Sequence, residues 1–174
     1  MSNLKKYILT GVTLGSIAAV AAGLIAVTNL VTAKKIKQNE LNKINQGIVS
    51  IFGDDSSIKA EEDLSNYQYV VHYYTVENLQ SEFLGYAFKT EGSNMYGKIS
   101  LIAGFDSKSH NFMSLHLVRN EQTYASTLVD NYITPLNSSD RDLEDVNCGA
   151  TYGAKLVRDM VNEAKVAAEA LWSK

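Results

Sequence analysis

The sequence predicts an α+β fold: a single N-terminal transmembrane helix followed by an antiparallel sheet packed with helices. Three observations carry the prediction. The chain opens on a long uncharged apolar run, Tyr7 to Ala33. Segments rich in Tyr, Val, Phe and Ile follow in succession, joined by short polar links. Apolar residues then recur at helical spacing through the last stretch, Thr151 to Trp172.

Residues 1–6 form a short basic lead with Lys5 and Lys6. Residues 7–33 carry no charge, and about 27 residues at 1.5 Å each make roughly 40 Å of helix, enough to cross a hydrocarbon core. A secretory signal peptide is the rival, but its apolar region runs only about 7–15 residues, so an uncleaved anchor is expected. Gly11, Gly15, Ala19 and Gly23 fall four apart on one helical face, the spacing either of a packing face for another membrane helix or of a membrane segment simply rich in small residues. Basic residues flank both ends, with Lys34, Lys35 and Lys37 after the segment, so charge alone does not fix its orientation.

Residues 34–58 turn polar, with Ile36, Leu41, Ile44 and Ile48 at helical spacing. They predict a helical linker into a domain spanning residues 59–174, ended by the turn formers Gly53-Asp54-Asp55-Ser56-Ser57. Strands are expected over Tyr67 to Val76, Glu82 to Glu91, Tyr96 to Phe105 and Asn111 to Arg119. Glu91-Gly92-Ser93-Asn94 and Asp106-Ser107-Lys108-Ser109 read as the turns between neighbours. Consecutive strands with short links pair antiparallel. The tyrosines on these strands are expected as sheet surface and core. A short helix is expected between Asn120 and Asn131, then a polar connection from Pro135 to Asp142. In the last helix Leu156, Val157, Met160, Val161, Ala164, Ala168, Leu171 and Trp172 form one stripe to cover the sheet.

Composition removes several functions. All 19 acidic residues, and all but Lys5 and Lys6 of the 16 basic ones, fall from Lys34 onward, leaving the domain acidic. An acidic domain does not track a nucleic-acid backbone. The single cysteine forms no internal disulfide, and His72, His110 and His116 have neither metal-ligand nor nucleophile spacing. Redox chemistry here requires an organic cofactor.

One stretch carries chemistry: Asp145-Val146-Asn147-Cys148-Gly149-Ala150-Thr151, at the start of the last helix. Gly149 and Ala150 are small enough to let another molecule approach the backbone, and Thr151 presents a hydroxyl where the helix begins. A helix start favours phosphate, because its first N–H groups lack partners and carry the positive end of the macrodipole. A Thr that merely caps the helix is the bland alternative for the tripeptide alone.

An Asp, three residues ending in a small one, then Gly-Ala-Thr resembles the flavinylation motif of the FMN-binding domain family, which includes the G subunit of Rnf-type electron-transport complexes and the C subunit of the sodium-pumping NADH:quinone reductase. The resemblance extends to the N-terminal anchor, Gly85-Tyr86, Tyr96-Gly97-Lys98-Ile99 and Asn120-Glu121. Here Glu121-Gln122-Thr123-Tyr124 stands where the family often continues Glu-Thr-Pro-Gly, and Cys148 stands where Ser or Thr is usual. The resemblance implies FMN joined to Thr151 through a phosphodiester bond made by a separate flavin transferase. It further implies other Rnf-type membrane subunits as partners, an inside N-terminus and a domain on the outer face of the cell membrane.

On that basis Thr151 is the tether. The amides around Gly149, Ala150 and Tyr152 offset phosphate charge, and Cys148 fills a crowded turn. Glu121, Thr123 and Leu143 are candidates to line the ring. Asp145 serves transferase recognition, since an unpaired carboxylate beside a phosphate repels it. The chain is then an electron-transfer subunit without a substrate site of its own. Two alternatives stay open: a standalone extracellular flavoprotein, and a flavin-free anchored interaction domain.

Overall fold

The structure, a computed structural model, describes residues 3–64 and 66–173. It falls into two compact units, Met1–Leu41 and Asn42–Lys174. The first is helical, within α1 (Asn3–Phe52). Its apolar side chains, such as Leu9, Ile17 and Leu24, are exposed, and Gly11, Gly15 and Gly23 face open space. The helix holds a stretch with a mean hydropathy of 2.1, long and apolar enough to cross a membrane.

The second unit is built on a five-stranded antiparallel sheet in the order β1-β2-β3-β4-β5. The strands are β1 (Ser57–Asp63), β2 (Val70–Glu77), β3 (Phe83–Asn94), β4 (Gly97–Asp106) and β5 (Phe112–Asn120). After β5 the chain winds through α2 (Ala125–Leu128), a π-helical turn (Val129–Ile133) and α3 (Thr134–Asn137), then reaches α4 (Thr151–Trp172). The fold class is therefore the α+β arrangement that the sequence predicts.

Both faces of the sheet are covered. Along β4, Ile99, Leu101, Ala103 and Phe105 join a core with Phe88, Leu128, Tyr132 and the α4 stripe of Ala154, Val157, Met160, Val161 and Ala164. Alternate residues face the other way, as the pleat requires. There Ile102 packs with Tyr74, Val76, Ala87, Val118 and with Ile44, Ile48 and Ile51 from the end of α1. Each fully buried branched side chain is worth about 1.5–3 kcal/mol. A Cβ on Gly104 would lie 2.3 Å from Ile51 Cγ2, and one on Gly47 would lie 3.0 Å from Ile102 Cδ1, so glycines on both partners bring helix and sheet together. Gly53 ends α1 with φ +100° while its N–H donates to Val49 O at 2.9 Å.

Three local expectations are corrected. Ser57–Asp63, which begins in the expected turn and linker and runs into a part of the domain where no strand is expected, is a strand: it lies at the sheet edge, so its charged side chains reach solvent and leave little hydrophobic alternation. Glu91-Gly92-Ser93-Asn94, expected as a turn, continues β3 and pairs in register to Asn94↔Gly97, leaving Met95 and Tyr96 as the turn. Gly92 is there for packing, since a Cβ would sit 2.8 Å from Leu156 Cδ1 on α4. The helical segment expected from Asn120 starts only at Ala125 and continues through Pro135 to Asn137. Pro135 sits in the first turn of α3, directly after the π-helical turn.

Asn137 closes the far edge of the sheet. Its Oδ1 accepts from Leu115 N at 2.9 Å, and its Nδ2 donates to Leu115 O at 2.8 Å. One side-chain amide thereby takes the place of a strand residue beside β5.

Candidate functional site

The start of α4 opens onto a cleft of about 270 Å³ lined by Tyr96, Gln122, Tyr124, Leu128 and the run Gly149 to Gly153. No charged side chain is in that lining. The run arrives through a turn at Gly149, whose φ of +82° suits glycine and whose Cβ would meet Thr127 Cγ2 at 3.3 Å. Gly153 is needed for closeness as well: a Cβ would lie 3.1 Å from Leu128 Cδ2.

Thr151 is the first helical residue and not the cap. The cap position is Ala150, with φ −118° and ψ 43°, and it has no side-chain capping bond; the first turn also lacks an acidic residue. Ala154 N completes the first helical bond to Ala150 O at 3.0 Å. The amides ahead of it are the ones a helix leaves without intrahelical acceptors, at the positive end of its dipole. Lys155 lies one turn on, with Nζ 5.9 Å from the centre of the Tyr152 ring. A half-buried threonine hydroxyl thus stands beside an uncapped helix start, with positive potential and no competing carboxylate in the lining.

The opposite wall is fixed by a side-chain network. Gln122 is buried, and its Nε2 donates to Asn94 Oδ1 at 3.0 Å and to Gly97 O at 2.6 Å. Asn94 in turn donates through Nδ2 to Tyr152 O at 3.1 Å, tying the β3–β4 hairpin to the start of α4. Gly97, with φ +137°, lies so close to the next segment that a Cβ would be 2.1 Å from Glu121 O. Tyr96 is held by its N–H to Asn94 Oδ1 at 2.9 Å, and its carbonyl accepts from Thr123 N at 2.9 Å.

The residues singled out from sequence divide by position. Gly149, Ala150, Thr151 and Tyr152 come together in the lining of the cleft. Cys148 is buried just before it, with its carbonyl accepting from Asn131 Nδ2 at 3.1 Å. Glu121, Thr123 and Leu143 are outside the lining. Glu121 is exposed and accepts from Arg119 Nε at 2.8 Å. Thr123 turns its hydroxyl to Tyr96 O at 3.3 Å. Leu143 packs against the core, and its carbonyl accepts from Tyr132 Oη at 2.5 Å. Burial pushes the Tyr132 phenol well above its ordinary range, with Glu144 adding to the effect, so it stays a donor.

Asp145 is exposed and held by Arg141, whose Nη1 lies 3.1 Å from Asp145 Oδ2 and donates to Asp145 O at 2.8 Å. Asp145 Oδ1 accepts from Asn147 N at 3.4 Å, the Asx turn open to a loop carboxylate. Tyr96, Gln122, Tyr124, Leu128 and Gly153 are the lining residues that sequence reasoning missed. A signal existed for two of them: in the tetrapeptide Glu121-Gln122-Thr123-Tyr124, Gln122 and Tyr124 are the alternate residues that reach the cleft.

No curated protein matches this chain. Residues 1–48 match the family model described as the RnfG N-terminal region, a match that supports the G subunit of an Rnf-type complex.

Proposed function

We propose that this chain is a membrane-anchored electron-transfer flavoprotein, the G subunit of an Rnf-type ion-translocating complex, carrying FMN in phosphodiester linkage to Thr151. The observation that carries the reading is the placement of the Thr151 hydroxyl at an uncapped helix start inside an uncharged, tyrosine-lined cleft. The residues present suit the group. Helix amides favour a phosphate, Gly149 and Ala150 leave the backbone open to it, and aromatic walls suit a planar ring. The match of residues 1–48 supports the assignment to an electron-transport complex in a membrane.

When bound, the isoalloxazine supplies one- and two-electron chemistry. The chain's own residues hold and position it. Thr151 would lose its hydroxyl proton to the new ester while an activated flavin phosphate, presented by the transferase, would lose its leaving group, so that the product would weigh the protein plus FMN less one water. The amides of Thr151 to Gly153, at the start of the helix, would offset the charge of a phosphate, and the Gln122–Asn94–Tyr152 network keeps hairpin and helix start in register. Arg141 holds the Asp145 loop in one conformation for a flavin transferase to recognise. The domain works on the outer face of the cell membrane, where a covalent tether retains a cofactor that would otherwise diffuse away. Other Rnf-type membrane subunits supply and remove the electrons.

The test is intact mass and in-gel flavin fluorescence of denatured protein, coexpressed with a flavin transferase, for wild type and Thr151→Ala. A mass gain of FMN less water, with fluorescence, both absent in the variant, is the expected result. An unmodified wild type in cells that modify a proven acceptor overturns the covalent reading and favours a flavin-free interaction domain.

A further inference from the structure

Three exposed or half-buried tyrosines converge on the cleft from separate parts of the chain. Tyr96 comes from the β3–β4 turn, Tyr124 from the link after β5, and Tyr152 from the first turn of α4. Tyr96 is central, its ring 5.4 Å from Tyr152 at 37° and 6.2 Å from Tyr124 at 57°. Tyr124 is 55% exposed and Tyr152 59% exposed, although each contributes to one aromatic cluster. Exposed aromatic clusters next to an attachment point favour a planar ring, which covers their faces by offset or tilted stacking at centroid distances of about 4.5–7 Å.

We propose that Tyr96, Tyr124 and Tyr152 form the stacking platform for the isoalloxazine ring tethered at Thr151. This rests on the covalent-flavin reading and names the residues that seat its ring. Three features commit the platform to that occupant. The attachment hydroxyl is in the same lining as the three rings. The lining carries no charge, so it accepts an uncharged heteroaromatic face. The platform is also braced before anything is attached, because Asn94 and Gln122 fix the backbone on both sides of it. Tyrosine adds a property that other apolar residues lack, since a phenol in contact with an excited flavin donates an electron to it and quenches its emission; the electron returns without net oxidation.

The tether makes the inference separable from occupancy, because the flavin stays on the chain whatever happens to the platform. The experiment uses full-length protein, flavinylated in cells and purified in detergent, with attached flavin quantified by mass for each variant. Emission and visible circular dichroism of the flavin are compared in native and unfolded states. Wild type is expected to emit several-fold less when native than when unfolded and to show induced visible bands. Tyr124→Leu and Tyr152→Leu raise native emission several-fold and weaken those bands. The triple variant Tyr96→Phe, Tyr124→Phe, Tyr152→Phe, which keeps the rings and removes the donors, raises emission and preserves the bands. Flavin present by mass but equally emissive in native and unfolded wild type overturns the platform alone. Unaltered emission and bands in both leucine variants do the same. Absence of the added mass overturns the attachment itself, so the two failures are distinct.

Discussion

The Tyr132 phenol, fully buried, donates to the carbonyl of Leu143 at 2.5 Å and so joins the π-helical turn to the loop that leads into Thr151. The connection between Asn137 and Thr151 has no regular structure of its own, and this bond anchors its middle. Tyr132→Phe keeps the ring in the core but leaves the carbonyl without this donor. The expected loss is about 1–3 kcal/mol, read by urea unfolding of full-length protein in detergent. An unchanged midpoint would show that the loop is held by its other contacts.

Gly97 brings the hairpin against the segment after β5. With φ +137° and a Cβ position 2.1 Å from Glu121 O, Gly97→Ala meets backbone on one side and conformational strain on the other. A loss of roughly 1–3 kcal/mol from strain is expected. Because Gln122 bonds to Gly97 O, flavin attachment should also slow in a timed transferase assay. A variant with wild-type stability and rate contradicts the close approach.

Glu163 on α4 accepts from the backbone N–H groups of Gln68 at 2.7 Å, Tyr69 at 2.5 Å and Val70 at 3.2 Å. One carboxylate thereby gathers the chain entering β2. Glu163→Gln replaces an anionic acceptor with an amide whose NH₂ group faces donors. We expect a loss of about 1.5–3 kcal/mol, the range for hydrogen bonds to charged groups, together with faster hydrogen exchange at those amides. Exchange confined to wild-type rates would refute the anchoring role.

His116 supplies a pH dependence. Burial, and then the charge of Lys43, hold its pKa below the ordinary 6.5. As pH falls through 6.5 the unfolded chain takes up the proton first, so this contribution is complete above 6.5 and is lost as pH drops toward the depressed folded value. Thermal scans of wild type should show a falling Tm from about pH 7 to about pH 5. His116→Gln should flatten that part of the profile, and parallel profiles for the two proteins would contradict it.

The last helix was legible to its ends, Thr151 and Trp172, because its apolar stripe is long and faces a core. The strands were legible where they are central. β4 carries apolar residues on both faces and announces itself, whereas β1 presents Lys59, Glu61, Glu62 and Asp63 at an edge, where charge is what the surroundings favour. Gly92 misled for a related reason. A glycine in a strand reads as a turn, yet here it makes room for Leu156, a partner more than sixty residues away. The run Gly149 to Tyr152 is contiguous, so its place at the start of α4 could be read directly. The cleft is not: Tyr96, Tyr124 and Tyr152 lie in three segments, and it takes both the pairing of β3, β4 and β5 and the packing of α4 on the sheet to bring them within ring contact.

The side-chain amide of Asn137 that occupies Leu115 has a consequence for life at high density. Proteins confined to a membrane meet one another repeatedly in two dimensions, at effective concentrations that favour β-addition between neighbours. At Leu115 the outer edge of β5 offers a visiting strand neither donor nor acceptor, and at the other edge the carboxylates of β1 on adjacent copies repel. Strand addition between neighbouring copies is thereby disfavoured at both edges of the sheet.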